Sequence, residues 1–273
     1  MQLVKHKPSH VYLAARTPSK AEAAIEAIKT AIPDAPVTYI PLDLMSFDSI
    51  KHAVDEFNSK STRLDILMNN AGIMATPIAV TKEGYESQLG TNHIGHALLT
   101  KLLMPTLLKT AAEPGSDVRI INLSSEAHNL TPPGGIIFET EKQKTYGPLS
   151  RYGQSKLANI LFSKGLSKRY PQITTVAVHP GLILTDLYEP VNRQWLQRVA
   201  IGFASFFFTK IEQGAWNQLW AATIEKEKLV NGGYYKPVGV FGKGSYMMGY
   251  ASNDKLADQL WDWTEEELKK HGY

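Results

Sequence analysis

A tyrosine and a lysine lie four residues apart in the stretch RYGQSK, as Tyr152 and Lys156. On a helix this spacing is about one turn, so the two side chains share a face. A tyrosine hydroxyl has a reference pKa of about 10, and a lysine ammonium beside it favours the phenolate. Such a pair can exchange a proton with an alcohol or carbonyl oxygen near neutral pH. The alternative is a solvated helix pair, because the 12 tyrosines yield about one such spacing by chance.

Strand-like and helix-like segments alternate along the chain. Leu64–Asn69 and Asp117–Ser124 are near-continuous apolar runs, typical of strands covered on both faces. We therefore expect an α/β fold, a doubly wound parallel sheet with helices on both faces. The predicted strands are Val11–Ala15, Val37–Leu42, Leu64–Asn69, Asp117–Ser124, Thr174–His179 and Gly233–Pro237. The predicted helices are Ser19–Ile32, Phe47–Ser59, Glu83–Thr110, Ser150–Arg169, Glu212–Glu227 and Asn253–Lys270.

Polar residues follow several of these strands. Because ligands of parallel sheets bind beyond the carboxyl ends of the strands, such positions are the candidates for a site. They are Arg16, Asp43, the Asn69–Gly72 stretch, Ser124 with Ser125, and the His179–Thr185 stretch. The helix with Tyr152 and Lys156 falls between the last two. The ordered set, rather than any one motif, indicates a functional site.

Composition excludes several classes of protein. The chain has 273 residues with 43% hydrophobic content, enough for one sizeable core, so we expect a single domain over residues 1–273. A net charge of +3 with interspersed signs predicts no nucleic-acid partner. The absence of cysteine excludes disulfides and thiolate metal sites. The most apolar stretch, Val199–Phe208, is about half a membrane span, so we expect a cytoplasmic protein without a transmembrane segment.

The motifs together resemble the short-chain dehydrogenase/reductase family, and within it the retinol-dehydrogenase-like branch. The matching stretches are DILMNNAGIM, GTNHIGHALLTKLL, RIINLSSEAH, RYGQSKLANILF and HPGLILTDL. The resemblance runs from Val11 to the last predicted strand. It implies a Rossmann-like domain that uses NAD(P)(H) to interconvert alcohols and carbonyl compounds.

The resemblance also implies catalytic roles. Tyr152 would be the acid/base, and Lys156 would lower its pKa and bind the nicotinamide ribose. Ser125 would orient the carbonyl oxygen and stabilise developing charge, while Ser124 packs locally. Asn92 matches the position that kinks its helix and holds a water for proton relay.

Arg16 bears on cofactor choice. An NAD-preferring site places Asp or Glu after this strand, to bind the ribose 2′-hydroxyl. Here the residue is basic, and Lys20 follows one helical turn later. We therefore expect NADP(H) to be preferred over NAD(H). The alternative is that Arg16 is only a surface charge.

Four further residues are expected at the cofactor. Asp43 would accept a hydrogen bond from the adenine amino group, although it or Ser46 can also cap the following helix. Asn70 would line the adenine ribose. Ile183 and Thr185 would contact the nicotinamide half.

The segment after these residues, about 186–209, matches the substrate lid of the family and is rich in Phe and Trp. It predicts a small apolar carbonyl or alcohol substrate, or peripheral contact with a membrane surface. Core packing or a dimer contact is the alternative. Family members often pair through the helices that carry Asn92 and Tyr152, so a homodimer is also implied.

The histidines predict no metal site. His93 and His96 are three residues apart, but no acidic residue or third histidine supports them. His128 follows the serine pair and is interpreted as loop packing.

The start of the chain departs from the family pattern. A strand and a T-G-x-x-x-G-x-G loop should precede Val11, yet MQLVKHKPSH reads as the end of a helix. We therefore expect an N-terminally truncated fold, with two strand edges lacking partners. An inactive remnant with impaired cofactor binding is the rival hypothesis. A nucleotide-sugar epimerase also uses Y-x-x-x-K, but the N-N-A-G stretch disfavours it.

Overall fold

The structure is a computed structural model and describes residues 2–181, 211–242 and 249–273. The strands are β1 (Val11–Ala15), β2 (Val37–Pro41), β3 (Ile66–Asn69), β4 (Arg119–Leu123), β5 (Thr174–Val178), β6 (Tyr234–Lys236) and β7 (Val240–Gly242). The helices are α1 (Pro18–Ala31), α2 (Phe47–Lys60), α3 (Ser87–Leu89), α4 (Gly95–Ala111), α5 (Thr140–Gln143), α6 (Pro148–Arg169), α7 (Trp216–Thr223) and α8 (Asp254–Lys270). Short 3-10 turns lie at Leu3–His6, Glu126–Leu130, Ile211–Ala215, Lys226–Lys228 and Tyr250–Ser252.

Five of the described strands form the larger sheet. β3, β4, β5 and β6 lie parallel in that order, and β7 pairs antiparallel with β6 at the edge. β4 and β5 are fully buried along their length, as their apolar runs predict. Successive residues of β4 face opposite sides of the sheet. Ile120 packs in the cluster that contains the helices α4, α6 and α8, whereas Ile121 packs against α7. Helices therefore cover both faces, and the predicted doubly wound α/β fold is confirmed.

The first two strands stand apart from this sheet. Among the described residues, β1 pairs with β2 and β3 pairs with β4, so the strands form two separate sheets. Residues of β1 are half-buried or exposed, in contrast to those of β4. Val4, Ala35 and Val37 form a small core of their own on this pair.

Two predicted helices differ from the structure. The helix expected over Glu83–Thr110 starts only at Ser87, and a π turn over Gly90–Ile94 interrupts it before α4. The helix expected over Glu212–Glu227 is α-helical only at Trp216–Thr223. β7 was not predicted, because its three residues carry no alternating apolar pattern.

Helix α8 packs along α6. Trp261 stacks on Phe162 with 5.7 Å between ring centres. Gly165 permits this approach, since an added Cβ there would lie 2.8 Å from the indole ring. One side of the helix that carries Tyr152 is thus covered by the chain itself, and the expected homodimer stays a prediction. Within the described ranges, the helices are too short or too polar to cross a membrane.

Candidate active site

Tyr152 and Lys156 lie on the buried face of α6, each with 4% of its surface exposed. The Lys156 Nζ lies 5.6 Å from the centre of the Tyr152 ring. It donates a hydrogen bond to the carbonyl oxygen of Leu123, the last residue of β4, at 3.1 Å. Burial lowers the pKa of Lys156 to about 8 because the charged form loses its hydration. The amine is still mostly protonated at pH 7, so a cation stands beside the tyrosine ring.

The two serines after β4 have different surroundings. Ser124 is buried, and its hydroxyl donates to the carbonyl oxygen of Lys156 at 2.7 Å. Ser125 is half-buried, and its Oγ accepts from the backbone N–H of Ala127 at 3.2 Å, which caps the following 3-10 turn. Gly153 brings this turn against α6, because an added Cβ would lie 2.5 Å from the Ala127 carbonyl oxygen. Ser125 and Tyr152 are therefore carried by two segments in close contact.

Asn92 lies within the π turn and is fully buried. A π turn is a local widening of the helix, and such turns frequently occur at functional sites. The Asn92 Nδ2 donates to the Ser155 Oγ and to the carbonyl oxygen of Ile73, both at 2.9 Å. Its Oδ1 accepts from the backbone N–H of Ile73 at 2.8 Å. One side chain thus joins the loop after β3 to the helix that carries Tyr152.

His96 binds the backbone of the same turn. His96 is buried, and its Nδ1 donates to the backbone carbonyl oxygen of Asn92 at 3.1 Å. Burial lowers the pKa of His96 to about 4, so the imidazole is neutral at pH 7. The backbone carbonyl oxygen of Asn92 therefore already accepts one hydrogen bond, from the His96 side chain.

Two buried residues that the sequence did not single out, Ser155 and Asn159, support this centre, as does the half-buried Gly72. Ser155 bridges Asn92 to α6, and its hydroxyl donates to the carbonyl oxygen of Tyr152 at 2.7 Å. The Asn159 Nδ2 donates at 2.8 Å to the same Leu123 carbonyl oxygen that Lys156 uses. Gly72 packs so closely that an added Cβ would lie 3.0 Å from the Asn92 Oδ1 and 3.3 Å from the Lys156 Nζ. Ser155 and Asn159 follow Tyr152 and Lys156 by three residues each, a helical spacing that the sequence already displays.

The expected cofactor residues occupy strand ends. Arg16 directly follows β1 and is exposed, and Asp43 lies just beyond the neighbouring β2. The Asp43 Oδ1 accepts from the backbone N–H of Met45 at 3.0 Å, while Ser46 caps α2. Asn70 is exposed just after β3. Arg16 and Asp43 thus belong to the smaller sheet, whereas Asn70 belongs to the larger one.

Asn69, in contrast to Asn70, is a buried structural residue. Its Nδ2 donates to the Asn122 Oδ1 at 2.8 Å, and Asn122 in turn donates to the Ser163 Oγ at 2.9 Å. This chain of amides links β3, β4 and α6. Ile183 and Thr185 lie outside the described residues, as does the segment 186–209.

His128 and His93 make contacts within the fold. The His128 Nδ1 donates to the Ser125 carbonyl oxygen at 2.6 Å, and its ring contacts Tyr234. His93 bonds Thr264 of α8 at 3.0 Å. In the part of the chain that the structure describes, histidine, aspartate and glutamate side chains do not gather in threes around a metal-sized space.

Comparison with known proteins places this arrangement in a family. The sequence profile of the short chain dehydrogenase family matches residues 2–195. The chain belongs to the short-chain dehydrogenase family. It is 39% identical over 285 residues to the short-chain dehydrogenase/reductase drtF of Aspergillus calidoustus, covering 98% of this chain and 88% of that protein.

Two further members are similar over most of their length. Mouse retinol dehydrogenase 12 is 35% identical over 257 residues, with 93% of this chain and 77% of that protein covered. The crystal structure of NADPH-bound carbonyl reductase from chicken fatty liver matches with a TM-score of 0.60 at 25% identity, covering 86% of this chain and 88% of that one. The family assignment and the Rossmann-like α/β fold predicted from the motifs are confirmed.

The family uses nicotinamide cofactors, and the described residues fit one at the nicotinamide end. Gly72 leaves its backbone bare beside the Lys156 Nζ, where any larger residue would fill the space. The Lys156 amine is held at the end of β4 by its bond to the Leu123 carbonyl oxygen and carries further N–H groups that a ribose hydroxyl can accept from.

Proposed function

We propose that this protein is an NADP(H)-dependent oxidoreductase that interconverts a small apolar alcohol with its aldehyde or ketone. The observation that carries the proposal is the buried Lys156 ammonium at 5.6 Å from the Tyr152 ring, beside Asn92 and next to the turn that starts at Ser125. These four residues are the catalytic set of the proposal. The family membership supports the reaction type.

The proposed chemistry follows from these positions. The cofactor, when bound, supplies or accepts the hydride. Tyr152 donates a proton to the carbonyl oxygen during reduction and takes it back during oxidation. The Lys156 cation favours the phenolate that this transfer leaves. The Ser125 hydroxyl donates a hydrogen bond to the same oxygen as its charge develops.

Asn92 would hold the loop after β3 in place while this proton moves. Its side chain already bonds both backbone groups of Ile73 and the Ser155 hydroxyl. These bonds hold the backbone at Gly72 and Ile73 beside the Lys156 amine. A proton relay through a water bound at Asn92 stays a prediction. In the structure the backbone carbonyl oxygen of Asn92 accepts a hydrogen bond from His96.

The preference for NADP(H) is supported by Arg16 and by the start of α1. Thr17 occupies the N-cap position of this 14-residue helix without a side-chain capping bond. The positive end of the helix dipole at Pro18 lies two residues from Arg16 and attracts an anion next to the guanidinium. A 2′-phosphate would meet both. Asp43, Asn70, Ile183 and Thr185 complete the proposed cofactor contacts, and the cytoplasmic location stays a prediction.

The proposal is tested by titrating the purified chain with NADPH and with NADH, followed by calorimetry. We expect NADPH to bind at least tenfold more tightly than NADH, which a pair of charge-assisted hydrogen bonds to the phosphate supplies. Turnover of apolar aldehydes and of short polar ones is then compared. A folded chain that binds neither nucleotide would overturn the proposal and favour the inactive remnant.

A further inference from the structure

Glu86 and Arg151 form an ion pair in the interior, next to the candidate active site but outside it. The Arg151 Nη1 and the Glu86 Oε1 lie 2.6 Å apart, and the side chains are 3% and 0% exposed. By comparison, the pair of Arg119 with Asp117 at the start of β4 leaves the carboxylate 36% exposed. Burying two charges costs hydration that their attraction repays only in part, so such a pair adds little net stability.

The other hydrogen bonds of the pair connect three segments. The Glu86 Oε2 accepts from the backbone N–H groups of Gln88 at 3.0 Å and Leu89 at 2.9 Å, at the start of the segment that leads into the π turn. The Arg151 Nη2 donates to the Thr76 carbonyl oxygen at 3.0 Å, and its Nε donates to the Tyr146 carbonyl oxygen at 3.2 Å. The pair therefore joins the loop after β3, the π turn and the start of α6.

Gln88 makes a parallel connection. Its Oε1 accepts from the backbone N–H of Ala75 at 2.8 Å, and its Nε2 donates to the Pro148 carbonyl oxygen at 3.0 Å. Ala75 has a φ of 52°, a left-handed conformation that alanine rarely adopts without support. The loop Gly72–Thr76 is thus held through its backbone by Asn92, Gln88 and Arg151 in turn.

We propose that the Glu86–Arg151 pair is a positioning device for the reaction: it fixes the loop Gly72–Thr76 against the start of α6, so that Tyr152 and Lys156 keep their places relative to Asn92. Arg151 directly precedes Tyr152, and Glu86 lies six residues before Asn92. A shift of Arg151 would therefore move Tyr152, and a shift of Glu86 would move Asn92. The inference rests on the proposed function, because it assigns the pair a role in that reaction.

The test compares Arg151→Lys and Glu86→Gln with the control Arg119→Lys. A lysine keeps the charge but cannot reach Glu86, Thr76 and Tyr146 together, since it lacks the planar fork of arginine. Glutamine keeps an oxygen for the N–H groups of Gln88 and Leu89 but removes the charge. Arg119 also bonds a carboxylate and two backbone carbonyl oxygens, yet at the opposite end of β4.

We expect kcat to fall about tenfold or more in both site variants, because small misplacements of reacting groups are costly. KM for the carbonyl substrate should change by less than about threefold, and the pH midpoint of kcat should move. Arg119→Lys should lower the melting temperature without these changes. Site variants that lose stability but keep kcat and its pH profile would overturn the proposal, as would an equal loss of kcat in the control.

A second measurement separates this inference from the proposed function. The Lys156 amine is titrated by NMR in chains carrying isotope-labelled lysine, assigned with Lys156→Met. Its midpoint should move by about half a pH unit in Arg151→Lys and stay unchanged in Arg119→Lys. If the parent chain binds no nucleotide, the proposed function fails, and this titration alone decides whether the pair positions Lys156. An unchanged midpoint would overturn the positioning role.

Discussion

The side-chain amide nitrogen of Asn92 lies 2.9 Å from the hydroxyl oxygen of Ser155, and this bond joins the π turn to helix α6. The serine hydroxyl donates its own proton to the Tyr152 carbonyl oxygen at 2.7 Å. Ser155 therefore accepts from one candidate catalytic residue and anchors itself to another. These two bonds tie the Asn92 side chain to the backbone of Tyr152.

We expect Ser155→Ala to lower the free energy of unfolding by about 1–2 kcal/mol, because the Asn92 Nδ2 loses a buried partner. Its kcat should fall several-fold, while the affinity for NADPH should change little. The control is Ser167→Ala on the same helix, where the hydroxyl donates to the Lys164 carbonyl oxygen three residues earlier. Denaturant unfolding and steady-state kinetics check both. Equal kinetics in the two variants would contradict a role for Ser155 at the site.

Cofactor choice should depend on Arg16. We expect Arg16→Asp to weaken NADPH binding about 10- to 100-fold, because a carboxylate repels the 2′-phosphate. NADH binding should improve, since an acidic residue here can bind the ribose 2′-hydroxyl. Lys29→Asp, an equal charge change at the exposed far end of α1, is the control. Calorimetric titration with both nucleotides measures the change, and an equal response in the control would mean that only net charge matters.

Much of this arrangement was predictable because it is local. The alternation of apolar strands and helices indicated the fold class, and the positions after the strands indicated Arg16, Asp43 and Asn70. The spacing on α6 put Tyr152 and Lys156 on one face. Each of these inferences needs only the geometry of one element.

The parts that could not be predicted depend on contacts between distant segments. The resemblance implied a kink at Asn92 but not the π turn that forms it, and the bonds of Asn92 to Ile73 and Ser155 span 19 and 63 residues of sequence. The burial of Glu86 with Arg151 was not visible either, because single charged residues usually lie on the surface. The sequence also does not show which strands pair with each other, and in the structure β1 and β3 belong to different sheets.

Gly72 is expected to tolerate no side chain. An alanine Cβ there would lie 3.0 Å from the Asn92 Oδ1 and 3.3 Å from the Lys156 Nζ, closer than ordinary contacts. We expect Gly72→Ala to lower kcat about tenfold by displacing these two groups, with about 1 kcal/mol lost in stability. Gly147→Ala is the control, since an added Cβ meets no atom within 4 Å there. Kinetics and thermal unfolding of both variants check this. Full activity of Gly72→Ala would show that the space beside Asn92 and Lys156 accommodates a methyl group.

Lys156 should weaken the fold while it serves the reaction. Burial lowers the pKa of Lys156 from 10.5 to about 8. Below pH 8 the buried amine is charged, and this charge lowers the free energy of unfolding by about 3 kcal/mol. Between pH 8 and 10.5 the unfolded chain binds more protons at this group, so the stability of the parent chain rises with pH over that window. Above pH 10.5 the amine is neutral in both the folded and the unfolded chain, so its charge no longer lowers the stability.

We therefore expect Lys156→Met to be more stable than the parent chain by about 2 kcal/mol at pH 7, after allowance of about 1 kcal/mol for the lost bond to Leu123. The advantage should shrink as pH rises from 8 to 10.5, and turnover should be lost throughout. Lys168→Met, at a side chain that is 64% exposed, is the control and should show neither effect. Denaturant unfolding across this pH range checks the sign: a Lys156→Met chain that is less stable at pH 7 would show that the amine is solvated or paired in the folded protein.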